Sequence, residues 1–290
     1  MTSPTVSRVV GKLRRGVVRV PVVRQLDELR YQARRGRHSD AIGPLEAGGH
    51  SVLDGLRANG LVRHRFSEEL PDPAKAQATR FVERLRAVDR PSVTGTSARI
   101  GPEEQLDDPT LYLWGLSEAH LAVAEHYFGL PVRYLGLEVK REFANGEVGD
   151  VRQFHLDIED RRMMKMIVYL SDVTPSCGPF EYLDRADTEA AVDGLNYWSG
   201  FVADDRMAAV IPRTRWQSLL GPTYSGVYVD TCRLFHRATP PSTTDRYSMT
   251  FSYCSTTPFQ VFPEFLQVAE RVAGLADQMS RRQRQAVGVR

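Results

Sequence analysis

The 290-residue chain is long enough for one large domain or two small ones, and its 42% hydrophobic and 26% charged residues suit a protein with a sizeable core. It holds no run of eighteen apolar residues, which excludes a membrane-spanning helix. The net charge of +2 is too small to point to nucleic acid: residues 1–37 hold ten Lys/Arg against two Asp/Glu, so a terminal arm carries +8 and the remaining chain −6. Residues 38–290 are therefore expected to form one domain behind a basic arm. Cys177, Cys232 and Cys254 stand far apart without a CxxC pair, which argues against a disulfide framework or zinc ribbon and for a reduced, cytoplasmic setting. No signal peptide is expected, because Arg19 and Pro21 interrupt the short apolar stretch after Arg14-Arg15.

Helical spacing comes first along the chain. A short amphipathic helix is expected over 21–36, ended at Arg34-Arg35-Gly36, and another over Ser51–Ala58, stopped by Gly60. Phe81, Val82 and Leu85 mark a helix within Pro73–Val88. Leu113, Leu116, Leu121, Ala124 and Phe128 mark one across Pro109–Leu130. The period then changes to two. Val132–Phe143, Met163–Val173 and Arg246–Cys254 alternate and are rich in Val, Ile, Tyr and Phe, with turns at Asn145-Gly146, Cys177-Gly178-Pro179 and Pro240-Pro241. A last helix is expected over Phe265–Arg282. Helices, then short strands, then a helix predict an α+β protein with an antiparallel sandwich or barrel packed by helices. Residues 185–224 interrupt the strands as an insertion.

The informative residues lie among the strands. His155 and Asp157 stand two apart, so on a strand both project to one face and can grip one ion. A third ligand from a distant strand is needed, and His236 qualifies. Two imidazoles and one carboxylate on one side of an ion leave three positions open, the facial triad of non-haem Fe(II) oxygenases. Ten residues after His236 comes Arg246, then Ser248 on the same strand face. A guanidinium fork beside a hydroxyl suits the far end of a dicarboxylate. His38, His50, His64, His120 and His126 have no partner at ligand spacing.

On His155-Leu156-Asp157, Gly178-Pro179-Phe180-Glu181-Tyr182, His236 and Arg246-Tyr247-Ser248, the chain resembles the Fe(II)/2-oxoglutarate-dependent dioxygenases, specifically the phytanoyl-CoA dioxygenase-like family, over about 132–257. The resemblance implies a double-stranded β-helix (jelly-roll, cupin-like) core flanked by helices. It also implies iron on His155, Asp157 and His236, and the C5 carboxylate of 2-oxoglutarate on Arg246 and Ser248. O2 and a small-molecule substrate would be the partners. Family members often carry a proline and Gly-Ser-His just past the Gly-Pro segment. Leu183-Asp184-Arg185 stands there instead, which puts contacts from that segment in doubt. Asp157 is present where related halogenases have a small residue, so oxidation rather than halogenation is implied.

Lys165 and Tyr169 share a strand face and would reach the C1 carboxylate of 2-oxoglutarate or the substrate; the alternative is a solvent-facing Lys beside a half-buried Tyr. Gln153 is a candidate second donor behind His155 or a substrate contact. The insertion carries Trp198 and Trp216 among Arg, Asp and Asn, and such a loop is expected over the barrel mouth. Those two aromatics are candidate lid residues for a polar, sugar-containing substrate; the alternative is a surface helix pair with a Trp core. In size and in Asp157-Ile158-Glu159-Asp160-Arg161-Arg162 the chain is similar to family members that close orthoester or methylenedioxy rings on oligosaccharide antibiotics. A metal-dependent hydrolase, or a ligand-binding protein without activity, are the rival readings of the same barrel.

Overall fold

The computed structural model describes residues 21–90, 95–261 and 269–289. Helix α1 (Pro21–His38) is followed by α2 (Ala47–Asn59), strand β1 (Leu61–Arg65), α3 (Asp72–Arg86), β2 (Ser97–Arg99), α4 (Pro102–Gln105), α5 (Thr110–Gly115) and α6 (Glu118–Phe128). Then come β3 (Val132–Glu142), β4 (Met164–Tyr169), β5 (Phe180–Tyr182), α7 (Arg185–Gly194), α8 (Asp204–Ala208), β6 (Gln217–Leu219), β7 (Ser225–Asp230), β8 (His236–Ala238), β9 (Arg246–Ser255), α9 (Ala269–Ala273) and α10 (Arg281–Val287). No described helix is long and apolar enough to cross a membrane.

All strand pairs are antiparallel and fall into two sheets. Six strands run in the order β1-β7-β4-β9-β3-β2, and three in the order β6-β5-β8. The longest pairing, β3 with β9, spans Val132↔Ser255 to Glu142↔Arg246 with a bulge at Tyr134/Gly136. Alternation sorts β9 into two chemistries. Tyr247, Met249, Phe251 and Tyr253 join the large core that also holds Leu56 of α2, Phe81 and Leu85 of α3 and Leu121 and Phe128 of α6. Arg246, Ser248, Thr250 and Ser252 take the opposite face. On that side a second core, with Tyr169, Val227 and Val229 against Phe180, Tyr182 and Leu219, joins the large sheet to the small one. Helices, large sheet and small sheet are thus three layers, with a polar strip of β9 between the two sheets.

Several boundaries differ from expectation for local reasons. The helix expected over Pro109–Leu130 is two helices, because the Ser117 side chain accepts from His120 N and caps a fresh start at Glu118. Gly60 does end α2, in the left-handed conformation. Gly36 does not end α1, which runs on to His38, so the expected boundary at 37/38 falls within that turn rather than at a linker. Tyr31 donates to Phe128 O, and Arg161 pairs with Asp27 and Glu28, so α1 is docked on the body. The first twenty residues of the basic arm lie outside the described residues. The last expected helix lies partly outside them too. What is described is α9, a single 3-10 turn and α10, whose Ser280–Gln283 capping box begins it anew. Gly178 sits at φ 64, where a Cβ would meet Thr239 O at 2.2 Å, so the Cys177-Gly178-Pro179 turn admits only glycine.

Asp230, at the end of β7, anchors this frame. Its fully buried carboxyl accepts from Tyr127 OH at 2.7 Å and from the backbone N–H groups of Cys232 at 3.1 Å and Met163 at 3.2 Å. Burial outweighs these donors and pushes its pKa up from 3.8 to about 6. The fold therefore favours the acid form, whose stabilisation is complete below pH 3.8 and lost as pH rises through 6, by about 3 kcal/mol in all. Asp230→Asn should lack this loss. Denaturant unfolding at pH 4 and pH 7.5 is expected to show wild type losing stability relative to the variant; parallel behaviour at both pH values would contradict the assignment.

Candidate metal centre

His155 lies on an irregular segment and His236 on β8, yet their backbones pair. His155 N donates to His236 O at 3.0 Å, and His236 N donates to His155 O at 3.1 Å. The bridge sets the imidazoles side by side, 4.3 Å between ring centroids. Asp157 N donates to Thr231 O at 2.9 Å, which fixes the carboxylate two residues on. Asp157 Oδ1 lies 3.7 Å from His155 Nε2 and 3.8 Å from His236 Nε2. All three donor atoms fall within 4.8 Å of one another, so one ion about 2.0–2.2 Å from each can be held.

The imidazole tautomers follow from their other contacts. His155 Nδ1 bonds to Gln153 O and His236 Nδ1 to Leu234 O, both at 2.9 Å. A carbonyl only accepts, so each Nδ1 carries the proton and each Nε2 presents its lone pair. Burial disfavours the charged imidazolium, lowering the pKa of His155 and taking that of His236 to about 3. Both rings are therefore neutral at physiological pH, as ligands must be. Burial alone would raise the Asp157 carboxyl, but the Lys165 ammonium, 2.5 Å from Oδ2, and the neighbouring imidazoles hold it well below the usual carboxylate range. Next along, burial and the Asp157 charge push Glu159 up to about 7.

The three side chains open on a cavity of about 460 Å³ between the two sheets, within the size range of small-molecule sites. Arg99, Glu138 and Lys140 line one side, and Val151, Leu156 and Phe201 give it an apolar side. Phe201 is 45% exposed and sets its ring edge-on to His155, 5.3 Å between centroids. Thr250 and Ser252 of β9 reach the wall, whereas Arg246 and Ser248, on the same face, are buried and continue the strip beyond it. Arg246 Nη1 is buried with no hydrogen-bond partner among the described residues. Nearby, burial would raise the Glu142 carboxyl, but Lys140, Arg246 and Arg152 together take it down to about 2. Three cations round one carboxylate leave positive charge unmatched, a fit for a ligand's carboxylate.

The other expected residues are placed differently. Lys165 lines the cavity but is engaged by Asp157. Tyr169 is fully buried, donates to Leu219 O at 2.8 Å and accepts from Phe180 N at 2.9 Å, so it braces the strands away from the cavity wall. Gln153 acts through its backbone carbonyl on His155; its side chain is not on the wall. Neither Trp198 nor Trp216 lines the cavity. Trp216 stands edge-on to Phe154, under the Arg213 and Arg237 guanidiniums, with Nε1 donating to Ile211 O, so it is core of the insertion. The insertion does reach the mouth, through Gly200 and Phe201. Glu138, Lys140 and Phe201 were missed. The first two carried a signal, charges that continue at alternate positions to Glu142 along one face of β3. Of the histidines set aside, His38, His64, His120 and His126 bond to Glu125, Glu69, Trp114 O and Gly43 O.

No family model matches this sequence, and no curated protein matches it. Among solved structures, SnoK shares its fold and HygX is similar to it over part of the chain. SnoK, a non-heme α-ketoglutarate-dependent carbocyclase from nogalamycin biosynthesis, is 14% identical and superposes with a TM-score of 0.51, covering 82% of this chain and 94% of its own. HygX from Streptomyces hygroscopicus, solved with nickel and 2-oxoglutarate bound, is 19% identical over 73% of this chain and 88% of its own, with a TM-score of 0.48.

His236→Ala should weaken binding of Co(II) at least about a hundredfold. The circular dichroism should be unchanged, because the bridge that joins the segments is made by backbone. An absorbance titration checks this, and undiminished Co(II) binding would remove His236 from the ligand set.

Proposed function

We propose that this chain is a non-haem Fe(II)- and 2-oxoglutarate-dependent oxygenase acting on a C–H bond of a polar, sugar-containing small molecule in secondary metabolism. The observation that carries this reading is the convergence of His155 Nε2, His236 Nε2 and Asp157 Oδ1 on one point of a cavity wall, with the remaining directions open. Zinc sites of hydrolases use similar ligands, but they have no need of an unpaired buried guanidinium on the polar strip of β9 that continues past the cavity. The orphaned Arg246 Nη1 and the cation excess round Glu142 fit the far carboxylate of 2-oxoglutarate, with Ser248 beside it. The two sheets serve as the layers of a jelly-roll in one oxygenase domain that includes the docked α1, working in the cytoplasm. The fold shared with SnoK, itself α-ketoglutarate-dependent, agrees with this.

When bound, Fe(II) and 2-oxoglutarate supply with O2 an oxidant strong enough for hydroxylation or oxidative ring closure. The chain's own part is to hold and to exclude. His155, His236 and Asp157 fix the ion's position, and Arg246 and Ser248 fix the cosubstrate's far end. Phe201, in place of the expected Trp198 and Trp216, offers an aromatic face to a sugar ring, while Arg99, Glu138 and Lys140 offer hydrogen bonds to hydroxyl groups. The half-exposed Phe201 also restricts water at the ligand His155.

The test is iron-dependent uptake of O2 coupled to succinate release from 2-oxoglutarate, screened over sugar-containing acceptors. Metal-dependent hydrolysis without 2-oxoglutarate consumption would overturn the reading. Arg246→Ala should raise the apparent KM for 2-oxoglutarate about ten- to a hundredfold, since a charge-assisted pair contributes about 1.5–3 kcal/mol. Iron affinity should stay unaltered, and an unchanged KM would place the anchor elsewhere. Phe201→Ala should raise the KM for the acceptor about tenfold while 2-oxoglutarate turnover without acceptor persists; a variant with wild-type acceptor kinetics would remove the ring from the binding site.

A further inference from the structure

Asp157 has two oxygens with separate duties. Oδ1 faces both imidazole Nε2 atoms, and Oδ2 carries the Lys165 ammonium at 2.5 Å. Both side chains are largely enclosed, 10% and 19% exposed, so the pair is little screened by water. Of the other charged groups on the wall, Arg99 lies 3.0 Å from Glu138, Lys140 lies 3.0 Å from Glu142 and 3.6 Å from Glu138, and Arg237 pairs with Glu181, while Glu159 accepts from Ile158 N. Among the groups that touch the ion's position, with neutral imidazoles, the −1 of Asp157 is cancelled by the +1 of the Lys165 ammonium bonded to it. A divalent ion entering this set keeps its whole +2, and that matches the 2− of a dicarboxylate.

Resting on the oxygenase reading, we propose that Lys165 is a positioning residue acting through Asp157: it leaves only Oδ1 free for the ion and cancels the carboxylate's charge, so that ion and 2-oxoglutarate bind cooperatively. Lys165 thus does not hold the cosubstrate by direct contact. It weakens the hold on a bare ion and strengthens the hold on ion and dianion together. The coupling is reciprocal, since each partner raises the other's affinity by one factor.

The experiment titrates Mn(II) into the metal-stripped full chain, with and without saturating 2-oxoglutarate, by calorimetry. In wild type, 2-oxoglutarate should tighten Mn(II) binding at least about tenfold. In Lys165→Met, Mn(II) alone should bind at least about tenfold more tightly than in wild type, and the enhancement by 2-oxoglutarate should shrink by a similar factor. Lys165→Arg should keep the wild-type pattern. A purely structural lysine would give weaker Mn(II) binding on removal, and that result, or an unchanged enhancement, overturns the proposal. If Lys165→Met does not fold, Lys165→Gln, which also removes the charge, is judged by the same outcomes. His236→Ala separates the two levels. Mn(II) binding indifferent to that substitution would sink the metal-site reading itself, whereas binding that needs His236 but ignores Lys165 sinks the proposal alone.

Discussion

The reciprocal backbone hydrogen bonds between His155 and His236 are the constraint on which the site depends. These residues are eighty-one positions apart, and one belongs to a segment that forms no regular strand. Without the bridge, the His155 imidazole would ride on an irregular segment while His236 stayed on β8, and their separation would follow that segment's motion. With it, ligand spacing is set by peptide geometry, which has almost no freedom once two chains pair. The hydrogen bonds from each Nδ1 to the carbonyl two residues earlier then fix the direction of each ring. Frame and aim are thus both backbone matters, and the side chains supply only the donor atoms.

Around this frame the chain tolerates a concentration of charge that would be costly elsewhere. Arg152, fully buried, bonds to Glu142, Asn145 and the carbonyls of Thr96, Phe143 and Glu147, and so staples the loop that leads to His155 onto β3. Such a network is stable only when nearly every donor is satisfied. Against that background Arg246 Nη1 and Asn145 Nδ2 are buried without a hydrogen-bond partner among the described residues. The large apolar core lies on the other face of β9, under the helices, so that core and the polar strip are kept apart by the strand itself.

How much was legible in the sequence depended on the range of the interaction involved. The long helices and strands were legible because their periods are local: α3 and β9 appear within a residue or two of expectation. The split between α5 and α6 was legible in principle, since Ser117 is a good capping residue, but a continuous apolar spacing hid it. Short strands such as β5, β6 and β8 have three residues each and no period to read. The site divides in the same way. His155, Asp157 and His236 were found because ligand chemistry restricts residue type and spacing. Tyr169 and Trp216 stayed open between a pocket and a core role because a polar tip on a large ring serves either, and only the fold says that Leu219 O and Ile211 O take them up. Phe201 had no signal at all in a stretch richer in tryptophan.

Arg237 follows His236 directly and pairs with Glu181 on β5 and Asp204 at the start of α8. Its guanidinium also covers Phe154, the residue before the other histidine. The insertion is therefore not a free flap: it is moored one peptide bond away from a ligand. A movement of α8 would be passed by Arg237 to β8, at the residue next to His236. Exchanging this insertion for that of another protein would alter selectivity cleanly only if an acid were kept where Asp204 stands. Diversification at the mouth and integrity of the centre are tethered through Arg237, together with the Phe154–Val202 backbone bridge and the Tyr197 hydroxyl that accepts from Leu156 N.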